Sequence, residues 1–253
     1  MGLRGLEGLP VLVTGAASGI GRAIALRLSD EGAVVGIFDL DGSGAEVTVA
    51  AIAEAGGRGH AWQVDITDGP GVEAAVEAFE AELGPVAGLV NNAGWDEAAP
   101  FLETDVTLWR KVIDINLYGP LHVTQAVLRR MTHHGRGRVV SISSDAGRVG
   151  SSGEAVYAAC KGGIAAFSKS VARELAKQGI TLNVVAPGPT DTPFFASFDE
   201  SGKLAAALAR SIPMRRLGQP EDCPGLVAFL LSDDAAFITG QTISVSGGLT
   251  MHG

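Results

Sequence analysis

Two cysteines in 253 residues, Cys160 and Cys223, are too few for a disulfide framework or a cysteine metal cage. Aromatic residues make up only 6%, so the apolar 46% is mainly Ala, Val, Leu and Ile. No apolar run approaches the roughly 20 residues that span a bilayer. The opening MGLRGLEGLP lacks the apolar core of a signal peptide, and Leu6 stands where myristoylation favours Ser or Thr. His133 and His134 have no metal-ligand spacing and no His-Glu-x-x-His occurs, so no catalytic metal is expected. Positive charge is also scarce: 19 Lys and Arg stand against 28 Asp and Glu, a net charge of -9. That field repels phosphate backbones and argues against a nucleic-acid partner. These absences describe a soluble cytoplasmic protein with reduced thiols and no membrane contact.

Glycine is abundant. There are 35, about twice the usual share of roughly 7%, with no collagen period. Short apolar runs at Pro10–Thr14, Ala33–Phe38, Gly59–Val64, Gly88–Asn91, Arg138–Ser143, Thr181–Ala186 and Thr242–Val245 read as strands. Helical stretches near 19–31, 43–56, 69–83, 104–133, 156–178 and 220–231 separate them. Asp68 is placed to cap the third helix, and Gly135 to stop the fourth. Alternating strands and helices predict an α/β fold: one doubly wound, Rossmann-type parallel sheet of about seven strands with helices on both faces. The whole chain, 1–253, forms a single domain. Residues 187–218, with four prolines and the pair Phe194-Phe195, read as a mobile lid over the site.

The first strand runs into Thr14-Gly15-Ala16-Ala17-Ser18-Gly19-Ile20-Gly21 and then a helix. Glycines there let backbone approach a pyrophosphate, and the helix start offers free N–H donors. Asp39, followed by Leu40, ends the second strand, where a carboxylate accepts hydrogen bonds from an adenosine ribose. The same charge repels a 2′-phosphate, and no Lys or Arg at 16–18 or 40 offsets it. The cofactor expected is therefore NAD, with NADP disfavoured by Asp39.

Further along stand Asn91-Asn92-Ala93-Gly94, Asn116, Ser144, Tyr157-x3-Lys161 and Pro187-Gly188. In this order and spacing, with Thr14–Gly21, the sequence resembles the short-chain dehydrogenase/reductase family. Tyr157 and Lys161 are four apart and share a helical face. A free phenol titrates near 10, so an adjacent ammonium is expected to lower Tyr157 toward neutrality and make it an acid/base. Ser144 would hydrogen-bond the substrate oxygen, whereas Ser143 would point the other way.

The resemblance implies further roles. Asn116 completes a catalytic set with Ser144, Tyr157 and Lys161 through a water relay, and Lys161 also holds the nicotinamide ribose. Gly15, Ser18, Gly19, Ile20, Gly21, Asp39, Leu40, Asp65, Ile66, Asn91, Ala93, Gly94, Tyr157, Lys161, Pro187, Gly188, Thr190 and Thr192 match cofactor-binding positions. Ser246 stands in Val245–Gly248 where the family usually has Asp. The family is usually tetrameric, and the Ala- and Gly-rich face of residues 156–178 suits contact between subunits.

Within that family, residues 91–96, 145–161, 187–192 and 237–251 resemble the 2-hydroxycyclohexanecarboxyl-CoA dehydrogenases of alicyclic acid degradation. This implies a cyclic hydroxyacyl-CoA substrate. Trp95 is a candidate for a ring pocket. Arg148, Lys203, Arg210, Arg215 and Arg216 are candidates for CoA phosphates, although each alone reads as ordinary surface charge. The alternatives are a 3-oxoacyl-acyl-carrier-protein reductase, a polyol, sugar or steroid dehydrogenase, and a nucleotide-binding regulator without turnover.

Overall fold

The structure is a computed structural model describing residues 2–196 and 202–251, apart from the side chain of Phe194. Seven strands form one sheet: β1 (Pro10–Thr14), β2 (Val34–Asp39), β3 (Arg58–Gln63), β4 (Gly88–Asn91), β5 (Gly137–Ile142), β6 (Ile180–Pro187) and β7 (Thr242–Val245). Their order is β3-β2-β1-β4-β5-β6-β7, with every pairing parallel. Chain direction across the sheet therefore reverses between β1 and β4. Ligands of such sheets bind beyond the carboxyl ends of the strands at that switch.

Ten α-helices are present among the described residues. They are α1 (Gly19–Asp30), α2 (Gly42–Glu54), α3 (Gly69–Leu83), α4 (Val106–Ile113), α5 (Gly119–His134), α6 (Ala146–Val149), α7 (Ala155–Leu175), α8 (Pro193–Ala196), α9 (Lys203–Ser211) and α10 (Pro224–Leu231). Strand alternation decides which face each side chain covers. Val11 and Val13 pack with Ile24, Leu28, Val227 and Leu231 from α1 and α10. Leu12, between them, packs with Val76, Phe79, Val123 and Val127 from α3 and α5. Both sheet faces are buried, so β1, β5 and β6 are buried along nearly their whole length. None of the described helices is long and apolar enough to cross a membrane.

Two sequence readings need correction. The predicted helix over 104–133 is α4 and α5 joined by a π-helical turn, Asp114–Tyr118. Pro120 has no N–H to give to the carbonyl four residues back, at Asn116, and the wider turn absorbs that loss. Asp68 occupies the N-cap position of α3 but makes no side-chain cap bond. A cap would bond the second or third helical N–H, and the second residue is Pro70. The small-residue face of α7 is used partly within the chain: a Cβ on Gly147 would lie 2.6 Å from Gly162 N. Gly135 ends α5 in the left-handed conformation, as its position suggests. Residues 197–201 of the predicted lid lie outside the described residues.

Gly36 in β2 shows how closely helix and sheet approach. A Cβ there would lie 2.3 Å from the Phe79 ring. Gly36→Ala should destabilise the fold by about 1–3 kcal/mol, the usual cost of overpacking. A lowered urea midpoint with an unchanged slope would show this; a wild-type midpoint would contradict it.

Candidate active site

The turn between β1 and α1 uses its glycines differently. Gly15 has φ +67°, and a Cβ would lie 2.7 Å from Ala93 Cα. At Gly21 a Cβ would lie 2.1 Å from Gly15 O. Both are needed for the protein's own packing. Gly19 also has positive φ, +56°, but a Cβ there would meet nothing nearer than Thr192 Cγ2 at 3.7 Å. Its backbone therefore faces open space, as an anion-binding helix start requires. Ser18 is the N-cap residue of α1, in extended conformation, with no side-chain cap bond. Ile20 packs on the core beneath.

Asp39 braces this turn. Its Oδ2 accepts from Ala17 N at 2.8 Å and its Oδ1 from Asp41 N at 2.9 Å. Leu40 is exposed beside it. The carboxylate thus lies at the outer end of the glycine turn, where an adenosine ribose would be read.

Thr14 and Asn92 join the β1 and β4 turns. Thr14 Oγ1 accepts from Asn92 N at 3.0 Å and Ala93 N at 3.1 Å. Asn92 Nδ2 donates to Thr14 O at 3.1 Å and Gly15 O at 2.7 Å. The sequence assigns neither residue a separate role, because their side chains bond only to backbone groups of the neighbouring turn. Asn91 points into the protein, where its Nδ2 donates to Thr124 Oγ1 at 2.8 Å. Asp65 is exposed and folds its carboxylate onto Thr67, while Ile66 is buried and lies where a Cβ on Gly119 would meet it.

Tyr157 and Lys161 lie in the first turns of α7, with Lys161 Nζ 5.3 Å from the centre of the Tyr157 ring. Ser144 hydrogen-bonds the phenol. Ser143 faces the other way, its Oγ donating to Lys161 O at 2.8 Å. Lys161 is buried and donates to Ile142 O at 3.1 Å. Burial lowers its pKa to about 8. Asn116 is fully buried in the π turn. Its Nδ2 donates to Trp95 O at 2.5 Å and Val112 O at 2.9 Å, and its Oδ1 accepts from Trp95 N at 3.2 Å. A Cβ on Gly94 would lie 2.9 Å from Asn116 Oδ1 and 3.3 Å from Lys161 Nζ, so these groups converge.

The expected lowering of the Tyr157 pKa is not found. Burial pushes the phenol above its ordinary value, and the charges of Glu154 and Asp96 push the same way; only the Ser144 hydrogen bond opposes them. Asp96 is itself buried and raised to about 6, by desolvation first, then by Glu154 and Glu97. Sequence spacing shows the lysine and Glu154, three residues before Tyr157, but not Asp96.

On the opposite rim, Gly188 N donates to Val245 O at 3.0 Å, and a Cβ on Gly188 would lie 2.8 Å from Ser246 Cβ. Pro187 O accepts from Asp145 N at 2.9 Å. Thr190 is buried and donates to Gly188 O at 2.9 Å, while Thr192 Oγ1 accepts from Phe195 N at 3.1 Å. Trp95 is half-buried under Lys111, whose Nζ lies 3.5 Å from the ring centre. Arg148 donates to Ser244 Oγ at 2.7 Å. Arg216 pairs with Asp222 at 2.5 Å and 2.8 Å. No group of three potential metal ligands occurs among the described residues.

The arrangement combines an open glycine turn at the switch point, a carboxylate at its outer end, and a phenol beside a hydroxyl and an ammonium. Such a site can bind a dinucleotide and move a proton at an oxygen. Residues 15–250 match the family model described as enoyl-(acyl carrier protein) reductase. The chain is 40% identical over 245 residues to the 3-oxoacyl-[acyl-carrier-protein] reductase of Escherichia coli (strain K12), covering 97% of this chain and 98% of that protein. It is 39% identical over 249 residues to the (3R)-3-hydroxyacyl-CoA dehydrogenase of Rattus norvegicus, covering 95% of each. Among solved structures, levodione reductase superposes with TM-score 0.92 at 33% identity, covering 96% of this chain and 97% of that one. A Beutenbergia cavernae protein with NADP bound at low occupancy superposes with TM-score 0.92 at 35% identity, with the same coverage. The chain belongs to the short-chain dehydrogenase/reductase family, oxidoreductases that use NAD(P) and act on hydroxyl groups.

Proposed function

We propose that the chain is an NAD-dependent dehydrogenase interconverting a secondary alcohol and a ketone on a cyclic 2-hydroxyacyl- or 3-hydroxyacyl-CoA. The observation that carries the acid/base reading is the Tyr157 phenol, hydrogen-bonded to Ser144 and one helical turn from Lys161. Ser144 orients the substrate oxygen. Tyr157 accepts the proton of an alcohol or returns one to a ketone oxygen. The Lys161 ammonium favours the phenolate that forms in the first direction. Asn116 holds the Trp95 backbone and closes this set.

A bound nicotinamide dinucleotide would supply the hydride carrier for the reaction. Gly15, Ser18, Gly19, Ile20 and Gly21 would hold its pyrophosphate, and Asp39 and Leu40 its adenosine ribose. Asp65, Ile66, Asn91, Ala93 and Gly94 would border the adenosine side, and Pro187, Gly188, Thr190 and Thr192 the carboxamide. The open backbone at Gly19 supports this fit. Residues 187–218 would act as the lid. The protein would work as a cytoplasmic homotetramer.

A thioester substrate is supported by the two relatives, one named for an acyl-carrier-protein thioester and one for an acyl-CoA. Trp95 would border the acyl ring. Arg148 is a weaker phosphate ligand than its sequence position suggests, because its guanidinium contacts Ser244. The 40% identity to the acyl-carrier-protein reductase supports a second reading, a 3-oxoacyl-thioester reductase.

Three outcomes are expected. Tyr157→Phe should lower turnover by about 10²–10⁴-fold, with dinucleotide binding retained in fluorescence titration; near wild-type turnover would remove Tyr157 from the role. The kcat/KM should favour NAD over NADP, and Asp39→Ala should narrow the gap; equal wild-type efficiency with both would defeat the ribose assignment. Across hydroxyacyl-CoA thioesters, free hydroxy acids, polyols and steroid alcohols, the thioesters should react best. Preference for an unactivated alcohol would overturn the substrate class, and preference for reducing acyl-carrier-protein thioesters would select the second reading.

A further inference from the structure

Asp96 has no part in the reaction described above. It follows Trp95, whose backbone N–H and carbonyl are both held by Asn116, so the π turn fixes its position. It is 6% exposed, and its Oδ2 has no hydrogen-bond partner among the described residues. It lines a cavity together with Glu97 and Glu154. Ala99 N donates to Gly153 O at 2.9 Å, which ties the two loops that carry these carboxylates. The other walls are apolar and aromatic. Leu108, Val112 and Val156 line the cavity, and the rings of Phe101 and Trp109 stack with centroids 5.4 Å apart and planes 7° from parallel. The polar hydrogens of these walls are already used. Trp109 Nε1 donates to Thr104 Oγ1 at 2.7 Å, and Thr104 Oγ1 donates to Phe101 O at 2.7 Å. No Lys, Arg or His lines the cavity among the described residues. Lys111 lies over the Trp95 ring instead. The lining side chains therefore offer Asp96 neither a donor nor a positive charge, and such a carboxylate is costly to keep. Desolvation first, then Glu154 and Glu97, raise its pKa to about 6 against the Glu97 backbone hydrogen bond.

We propose that this cavity is a binding site for a small organic cation: a primary ammonium on an aromatic or aliphatic body, with Asp96 as its counter-ion. None of Gly15, Gly19 and Gly21 lines it, so the site is separate from the dinucleotide turn. The assignment depends neither on the role of Tyr157 nor on the alcohol substrate. An ammonium supplies in one group the donor and the positive charge that Asp96 lacks. Its body rests on Leu108, Val112 and Val156, and the rings of Phe101 and Trp109 add attraction for a cation. Glu97 and Glu154 attract it through space. Simpler occupants fit less well. No group of three potential metal ligands occurs among the described residues, so a bare metal ion would meet too few of these oxygens at bonding distance. A neutral alcohol would leave the carboxylate charges unopposed. An anion would add a fourth negative charge to the three already there.

Calorimetric titration of the full chain with benzylammonium chloride, at fixed ionic strength, tests this. Saturable binding is expected, stronger than that of benzyl alcohol, with benzoate weakest. Asp96→Asn keeps the size of the side chain and removes its charge. It should weaken benzylammonium binding by about tenfold or more, as the loss of a hydrogen bond between charged groups implies. It should also bring benzylammonium and benzyl alcohol close together in affinity. Glu154→Gln should weaken benzylammonium in the same direction by a smaller factor, and it supplies the reading if Asp96→Asn folds poorly. Glu46→Gln, at an exposed position of α2 outside the cavity, changes the net charge equally and should leave the affinity in place. The proposal is overturned by no saturable binding to the wild type, or by equal affinity for the ammonium and the alcohol. An affinity unmoved in both cavity variants, or a fall as large in Glu46→Gln, would overturn it too.

Discussion

Lys161 carries its charge where water is nearly absent, with 4% of its surface exposed and no ion-pair partner among the described residues. A buried ammonium needs backbone or hydroxyl acceptors to stay in place. One is the Ile142 carbonyl at the end of β5. Ser143 returns a bond from the same strand end to the Lys161 carbonyl. Strand and helix are thereby tied at two points, and Ser144, next along, is presented to the Tyr157 phenol. Gly94 lies close to the same groups: a Cβ there would lie 2.9 Å from Asn116 Oδ1 and 3.3 Å from the ammonium. Gly147 must lack one for α6 to lie on α7. The glycine excess in this region follows from packing three chain segments around one cation.

The fold was legible because its signals are periodic or positional. Leu12 between Val11 and Val13 shows a strand buried on both faces, and the Gly15, Gly19 and Gly21 spacing marks the turn that follows. Tyr157 and Lys161 were legible because four residues is one helical turn. What stayed hidden depends on contacts distant in sequence. The π turn around Asn116 differs from an α-helix by one residue, too little to disturb an apolar pattern. The Arg148 contact with Ser244 needs β7 beside α6, which no local pattern reports. The sign of the Tyr157 shift is set first by burial, which no spacing reports, with Glu154 and then Asp96 adding to it. Local spacing shows Lys161 and Glu154 on either side of Tyr157 but neither the burial nor Asp96.

That asymmetry bears on the substrate as well. The chain is acidic overall and its cavity near Tyr157 is lined by three carboxyl side chains. A free hydroxy acid would bring another negative charge close to them, at a cost that grows as water is excluded. A thioester presents a neutral acyl group there and carries its phosphates elsewhere. Under the proposed thioester reading, these carboxylates would disfavour a free hydroxy acid. Charge repulsion at the reacting end discriminates more strongly than fit to an apolar wall.

Asp96 is a buried carboxylate with one oxygen lacking a hydrogen-bond partner. A neutral side chain of similar size would meet the same apolar walls without desolvating a charge, so stability alone does not account for a carboxylate there. Its companion Glu154 sits at the N-cap of α7 without making a cap bond, so it adds charge to the cavity without the usual gain at a helix start. Local rules are broken twice within one cavity, and both departures act on the same phenol. Proteins keep such departures where a function depends on them. Here Glu154 and Asp96 add to the effect of burial on Tyr157, and the Ser144 hydrogen bond opposes it.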